Sequence, residues 1–163
     1  MKLSVSLAAA FLTGLVCSSA FAITDTVTIN VSGTLTRPTC LMTSPKTLSA
    51  NFGLLGYDQI DSAAMIDLPV LLTCPATSSV SVSLLANKLV SGSTTQGSAG
   101  KENLGYSMYL SSDNSLLNLS GVKRNLTNLT GVVDLSMKIK LISLGAVSEG
   151  AFSTSAVLSV EYL

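Results

Sequence analysis

Apolar and polar residues alternate with a period of two along much of the chain. Val80, Val82 and Leu84 alternate with Ser79, Ser81 and Ser83, and Tyr106, Met108 and Leu110 with Ser107, Tyr109 and Ser111. Leu135, Met137, Ile139 and Leu141 alternate with Asp134, Ser136, Lys138 and Lys140. Successive side chains of a strand point to opposite faces, so each run predicts a strand with one apolar and one wetter face. The continuous apolar run Leu68-Pro69-Val70-Leu71-Leu72, ending at Cys74-Pro75, predicts a buried strand. Turn residues separate the runs. A polar, Gly-rich loop is expected from Ser91 to Gly100, a hairpin turn at Ser111–Ser115, and a connection between Leu144-Gly145 and Glu149-Gly150. A short turn is expected over Ser62 to Ile66, and no long helical period occurs. The pattern predicts an all-β chain, a sandwich of Ig-like type without the buried Trp of antibody domains.

Two further alternating segments lie near the ends. Val27, Ile29, Val31, Gly33 and Leu35 alternate with Thr28, Asn30, Ser32 and Thr34. Thr154, Ala156, Leu158, Val160 and Tyr162 alternate with Ser155, Val157, Ser159 and Glu161, and Leu163 is the last residue. A final strand running to the last residue leaves no sequence to cover its edge. Uncovered apolar edges are a liability, and one solution is a strand from another molecule.

The first 22 residues read as an export signal. Met1-Lys2 supplies a positive start and Leu3–Val16 an apolar stretch. Ala20 and Ala22 form the A-x-A pattern, placing cleavage after Ala22. The apolar stretch is shorter than the ~18–20 residues of a membrane span, so no span is expected in the mature chain. Cys17 does not suggest lipidation, because bulky Val16 precedes it. Removing 22 of 163 residues leaves 141, with eight basic and nine acidic side chains.

Export changes the meaning of the cysteines. Cys40 and Cys74 remain, and an even pair in an exported chain reads as a disulfide. Closing a loop of this length stabilises by about 4 kcal/mol in the chain-entropy model. A metal site or a reactive thiol are the alternatives, but the chain has no His to complete a two-thiol zinc site.

Composition narrows the function classes. Nine Lys+Arg balance nine Asp+Glu, so there is no electrostatic footprint for nucleic acid. Absence of His removes the commonest general base, and no nucleophile elbow or Gly-rich phosphate loop occurs. Ser and Thr number 26 and 16, about a quarter of the chain, which suits a sheet protein more than a disordered one.

Four segments, in this order behind an export signal, carry a resemblance. They are Asp25–Gly33, Arg37-Pro38-Thr39-Cys40, Leu72-Thr73-Cys74-Pro75, and Gly150-Ala151-Phe152 through Ser159-Val160-Glu161-Tyr162-Leu163. Together the mature chain resembles subunits of chaperone–usher pili, closest in style to the minor adaptor subunits of type 1 fimbriae. The resemblance implies an incomplete Ig-like β-sandwich lacking its last strand. A periplasmic chaperone, and then a neighbouring subunit at the outer-membrane usher, would complete it by β-augmentation. It implies a signal over 1–22, a donor strand over 23–36 and a pilin domain over 37–163. Val27, Ile29, Val31 and Leu35 would fill a neighbour's pockets, and Gly33 would fit where a Cβ would not. Leu158, Val160 and Tyr162 would line this chain's own acceptor groove, with the Leu163 carboxylate anchored by the chaperone. The protein would be a non-enzymatic structural subunit, without cofactor, on a cell-surface pilus supporting adhesion. An adaptor position is favoured over a rod position by the short N-terminal extension. Two alternatives stand beside this. Residues 27–35 could be the first strand of the domain's own sheet, and the chain could be a self-contained secreted binding module.

Weaker signals read as surface features. Asn118, Asn125 and Asn128 each begin a glycosylation sequon, expected by chance in such a composition. Asp58, Asp61 and Asp67 lie close in sequence but fit no EF-hand spacing. Lys123-Arg124 and Lys138/Lys140 read as solvated charges.

Overall fold

A computed structural model describes residues 25–35 and 38–163. The expected export signal, with the expected cleavage residues Ala20 and Ala22, lies outside the described residues, as do Thr36 and Arg37. The chain divides into two units after Leu35. Residues 25–35 contain no strand. Their apolar side chains Val27, Ile29, Val31 and Leu35 are all exposed.

The second unit is nearly all β. Its strands are β1 (Leu41–Met42), β2 (Ile66–Leu68), β3 (Leu71–Ala86), β4 (Gln96–Lys101), β5 (Leu104–Leu110), β6 (Arg124–Asp134), β7 (Met137–Ser143) and β8 (Ala156–Tyr162). One 3₁₀ turn, Tyr57–Gln59, precedes β2. They form two antiparallel sheets, as the alternation predicts. One has the order β2-β7-β5-β4, and the other is built on the long β3. β6 pairs β3 from Leu71 to Val82. β1 and β8 both lie on the opposite edge of β3, β1 at Leu72–Thr73 and β8 from Val80 to Ala86.

The inner faces meet in a core of Leu68, Val70, Leu84, Ala86, Ala99, Leu104, Tyr106, Met108, Leu119, Met137 and Leu141, with Ile60 beside them. A second cluster packs Leu72 and Val80 around Cys40 and Cys74. These cysteines form the expected disulfide, tying β1 to β3. The Ser111–Ser115 turn also forms: Leu110 N–H donates to the Ser115 carbonyl (2.9 Å), and Asn114 takes φ +54°.

Four expectations need correction. The run Leu68–Leu72 is not one strand. It breaks at Pro69, and its two ends pair in different sheets, Leu68 with Met137 and Leu72 with Val133. Proline lacks the N–H that a continuous ladder needs. The loop from Ser91 stops near Thr95, because Gln96–Lys101 pairs with β5. The face expected to be wetter at Ser107 is buried, since both faces of β5 are covered there. The turn placed at Ser62–Ile66 is centred earlier, at Tyr57–Gln59, and Ile66 already opens β2.

β6 carries no period-two signal in the sequence. Its apolar residues Leu126, Leu129, Val132 and Val133 are irregularly spaced, because the β3–β6 ladder contains register shifts. Positive φ at Asn128 (+57°) and Gly131 (+68°) accompanies these breaks.

Candidate functional site

β8 has one paired edge and one free edge. The paired edge runs from Ala156, opposite Ala86, to Tyr162, opposite Val80, and Leu163 N–H closes it on the Ser79 carbonyl at 3.0 Å. Among the described residues no strand covers the other edge.

Beside this strand the core is open. A cavity of about 570 Å³ is walled by residues 42–50 on one side and 152–158 on the other, and buried Leu84, Tyr106, Met108 and Leu141 line it from within. A second cavity, about 700 Å³, continues between residues 50–57 and 147–152. The two share Ala50, Phe52, Leu141 and Phe152, so they form one groove.

The wall opposite β8 has an unusual character. Leu48, Ala50 and Phe52 pack against the core, while Ser49 and Asn51 are exposed. This is the side-chain alternation of a strand, yet the backbone there belongs to no strand. Its nearest backbone tie is Thr43 N–H to the Leu71 carbonyl, 2.9 Å. Two strand-patterned segments therefore flank an apolar groove with no ladder between them.

The expected groove residues take different places. Leu158 lines the groove and packs on the main core. Val160 packs on the disulfide cluster instead. Tyr162 and Leu163 are exposed at the strand's end. The sequence reading missed the opposite wall, although Leu48, Ala50 and Phe52 carried the same alternation used elsewhere. It also missed Phe152 and the inward face of β5.

The rim is polar and is tied between elements distant in sequence. The Lys101 ammonium donates to the Glu149 carbonyl (2.7 Å), and Thr154 Oγ1 donates to the Ser98 carbonyl (2.9 Å). Burial raises the Tyr106 phenol above its usual pKa, so it stays neutral. The three aspartates Asp58, Asp61 and Asp67 do not converge: Asp61 accepts from Ser143 N–H at 2.8 Å, and Asp67 lies opposite Lys138. Among the described residues no three potential metal ligands gather, and no helix is long and apolar enough to cross a membrane.

Neither a family model nor a curated protein matches the sequence. Solved structures do match. The chain is 19% identical to the P pilus rod subunit PapA, with TM-score 0.62, covering 76% of this chain and 99% of that one. A subunit from a chaperone–usher pilus structure that addresses rod uncoiling is 16% identical, with TM-score 0.63, covering 85% and 96%. The P pilus adaptor subunit PapF, from a study of polymerisation reactivity, is 16% identical, with TM-score 0.57, covering 77% and 97%. At such identities the likeness is one of fold: the second unit is an Ig-like sandwich built as these pilus subunits are.

Proposed function

We propose that this protein is a structural subunit of an adhesive pilus, assembled by strand insertion between subunits. One observation carries the reading: the free edge of β8 and the strand-patterned wall at Leu48–Phe52 face each other across an apolar groove. An inserted strand would pair its backbone with both walls and place alternate side chains inside, which is β-augmentation. The exposed segment Val27–Leu35 has the matching pattern, with Val27, Ile29, Val31 and Leu35 on one face and Thr28, Asn30, Ser32 and Thr34 on the other. It serves as the strand donated onward, and Gly33 meets the narrowest part of the acceptor.

On this reading the chain is exported, held in the periplasm by a chaperone that fills the groove, and passed to a neighbour at the outer-membrane usher. Leu158 lines the acceptor groove, and Val160, Tyr162 and Leu163 carry the strand to its end. The position proposed is that of a minor adaptor. A second reading is a rod subunit following itself, which the groove and donor segment on one chain allow equally.

The test is complementation. The domain without residues 23–36 should be marginally stable, and a peptide of residues 24–37 should raise its urea midpoint while a scrambled peptide does not. High stability without any peptide, and no effect of adding one, would refute the reading.

A further inference from the structure

The loop that closes the wide end of the groove carries two side chains for which the domain has no use. Leu54 is fully exposed and Tyr57 is 71% exposed, and both belong to the wall of the larger cavity. Gly53, at φ +64° with open space around it, lets the backbone turn Leu54 outward. A third unused apolar side chain, Leu41, is 67% exposed and follows the bridged Cys40. β1 meets β3 at Thr73, whereas β8 starts opposite Ala86 and the loop lies beyond that start. The unused side chains therefore sit toward opposite ends of the groove.

An inserted strand has a preferred direction here. Antiparallel pairing is somewhat the more stable per residue. It also brings Leu35, the largest side chain at the end of the alternating pattern, to the larger cavity. The donating copy then leaves the groove beside Leu54 and Tyr57. Leu41 follows Leu35 by six residues, a reach of at most about 20 Å when extended.

We propose that Leu54 and Tyr57 form a docking patch for the body of a second copy of this chain, the copy whose strand fills the groove, and that it lands there through Leu41. This contact is head-to-tail, uses different surfaces on the two copies, and so propagates along a filament without closing. Three side chains make a contact far smaller than a stable interface of ~1,600 Å². Its role is to fix the angle between consecutive copies, while the inserted strand supplies the affinity. The inference rests on the groove reading, in its form with consecutive copies.

The test uses the full chain, exported and allowed to polymerise, with a photo-reactive phenylalanine analogue at Tyr57. The expected product links two copies, with the partner site mapping by mass spectrometry to residues 38–42. Leu41→Ser in the same background should bring that link to background while strand-inserted polymers still form. Polymers without the link, or with a link elsewhere, overturn the docking patch and leave the groove reading standing. No polymer, together with no stabilisation by the 24–37 peptide, overturns both.

Discussion

Gly97 and Tyr106 are directly opposite each other across the β4–β5 hairpin, and the tyrosine ring fills the space that a Cβ on residue 97 would need. The pairing lets a fully buried aromatic lie flat against a strand at the base of the groove. Gly97→Val should therefore cost at least the usual ~1–3 kcal/mol of overpacking, because the Tyr106 ring already occupies the position of the new Cβ. Urea unfolding measures this, and an unchanged midpoint would contradict the packing.

The same ring gives a prediction of opposite sign. The Tyr106 hydroxyl is buried with no hydrogen-bond partner among the described residues. An unsatisfied buried hydroxyl costs about 1–3 kcal/mol. Tyr106→Phe should accordingly be neutral or stabilising, whereas Tyr106→Ala, which empties the core, should lose about 3–5 kcal/mol.

Alternation and turn chemistry made most of the sheet residues legible. Val80–Leu84, Met137–Leu141 and Ala156–Tyr162 are strands because their side chains obey a period of two. β6 was hidden because bulges at Asn128 and Gly131 spoil that period. The split of Leu68–Leu72 was hidden because a run apolar on both faces looks the same within one sheet or across two. The groove was half legible. β8 was recognised as an uncovered edge, but the Leu48–Phe52 wall was not, because a strand pattern without a ladder resembles a loop.

That wall leads to a third prediction. With so few backbone ties, amide protons of residues 44–52 should exchange rapidly in the free domain, far faster than those of β3. Adding the 24–37 peptide should slow them along with the free edge of β8. Slow exchange before addition would mean that the wall is already paired.

Removal of the bridge is the fourth. Cys40 and Cys74 are separated by 34 residues, and the double substitution to Ala should cost roughly 4 kcal/mol on the chain-entropy account. Mass spectrometry of the purified, air-oxidised protein should show the loss of two hydrogens, and two free thiols would contradict the bridge.

The fifth concerns acid. The hydroxyl and N–H of Ser115 hold the Asp113 carboxyl below its usual pKa, and those of Ser136 do the same for Asp134. Both groups are depressed in the fold, so their stabilisation is present above the ordinary value of 3.8 and is lost as pH falls below it. Asp134 matters more structurally: Ser136 N–H donates to its carboxylate (2.8 Å) while Ser136 Oγ accepts from Val70 N–H (3.1 Å). Asp134→Asn should flatten the acid limb of a stability–pH curve, and an unaltered limb would argue against this role. Both carboxylates are solvent-exposed, so the effect should be small and weaker at high salt.

The disulfide also has a mechanical meaning. A pull delivered through residues 25–35 enters the domain at Cys40, where a covalent bond hands it directly to Cys74 in β3, the central strand of its sheet. Tension thus bypasses the weakly tied segment 43–57, which can keep its shape around the groove while the chain is under load. Reduction of that one bond would leave the load to the short β1–β3 pairing at Leu41 and Met42, the last hold before the groove's own wall.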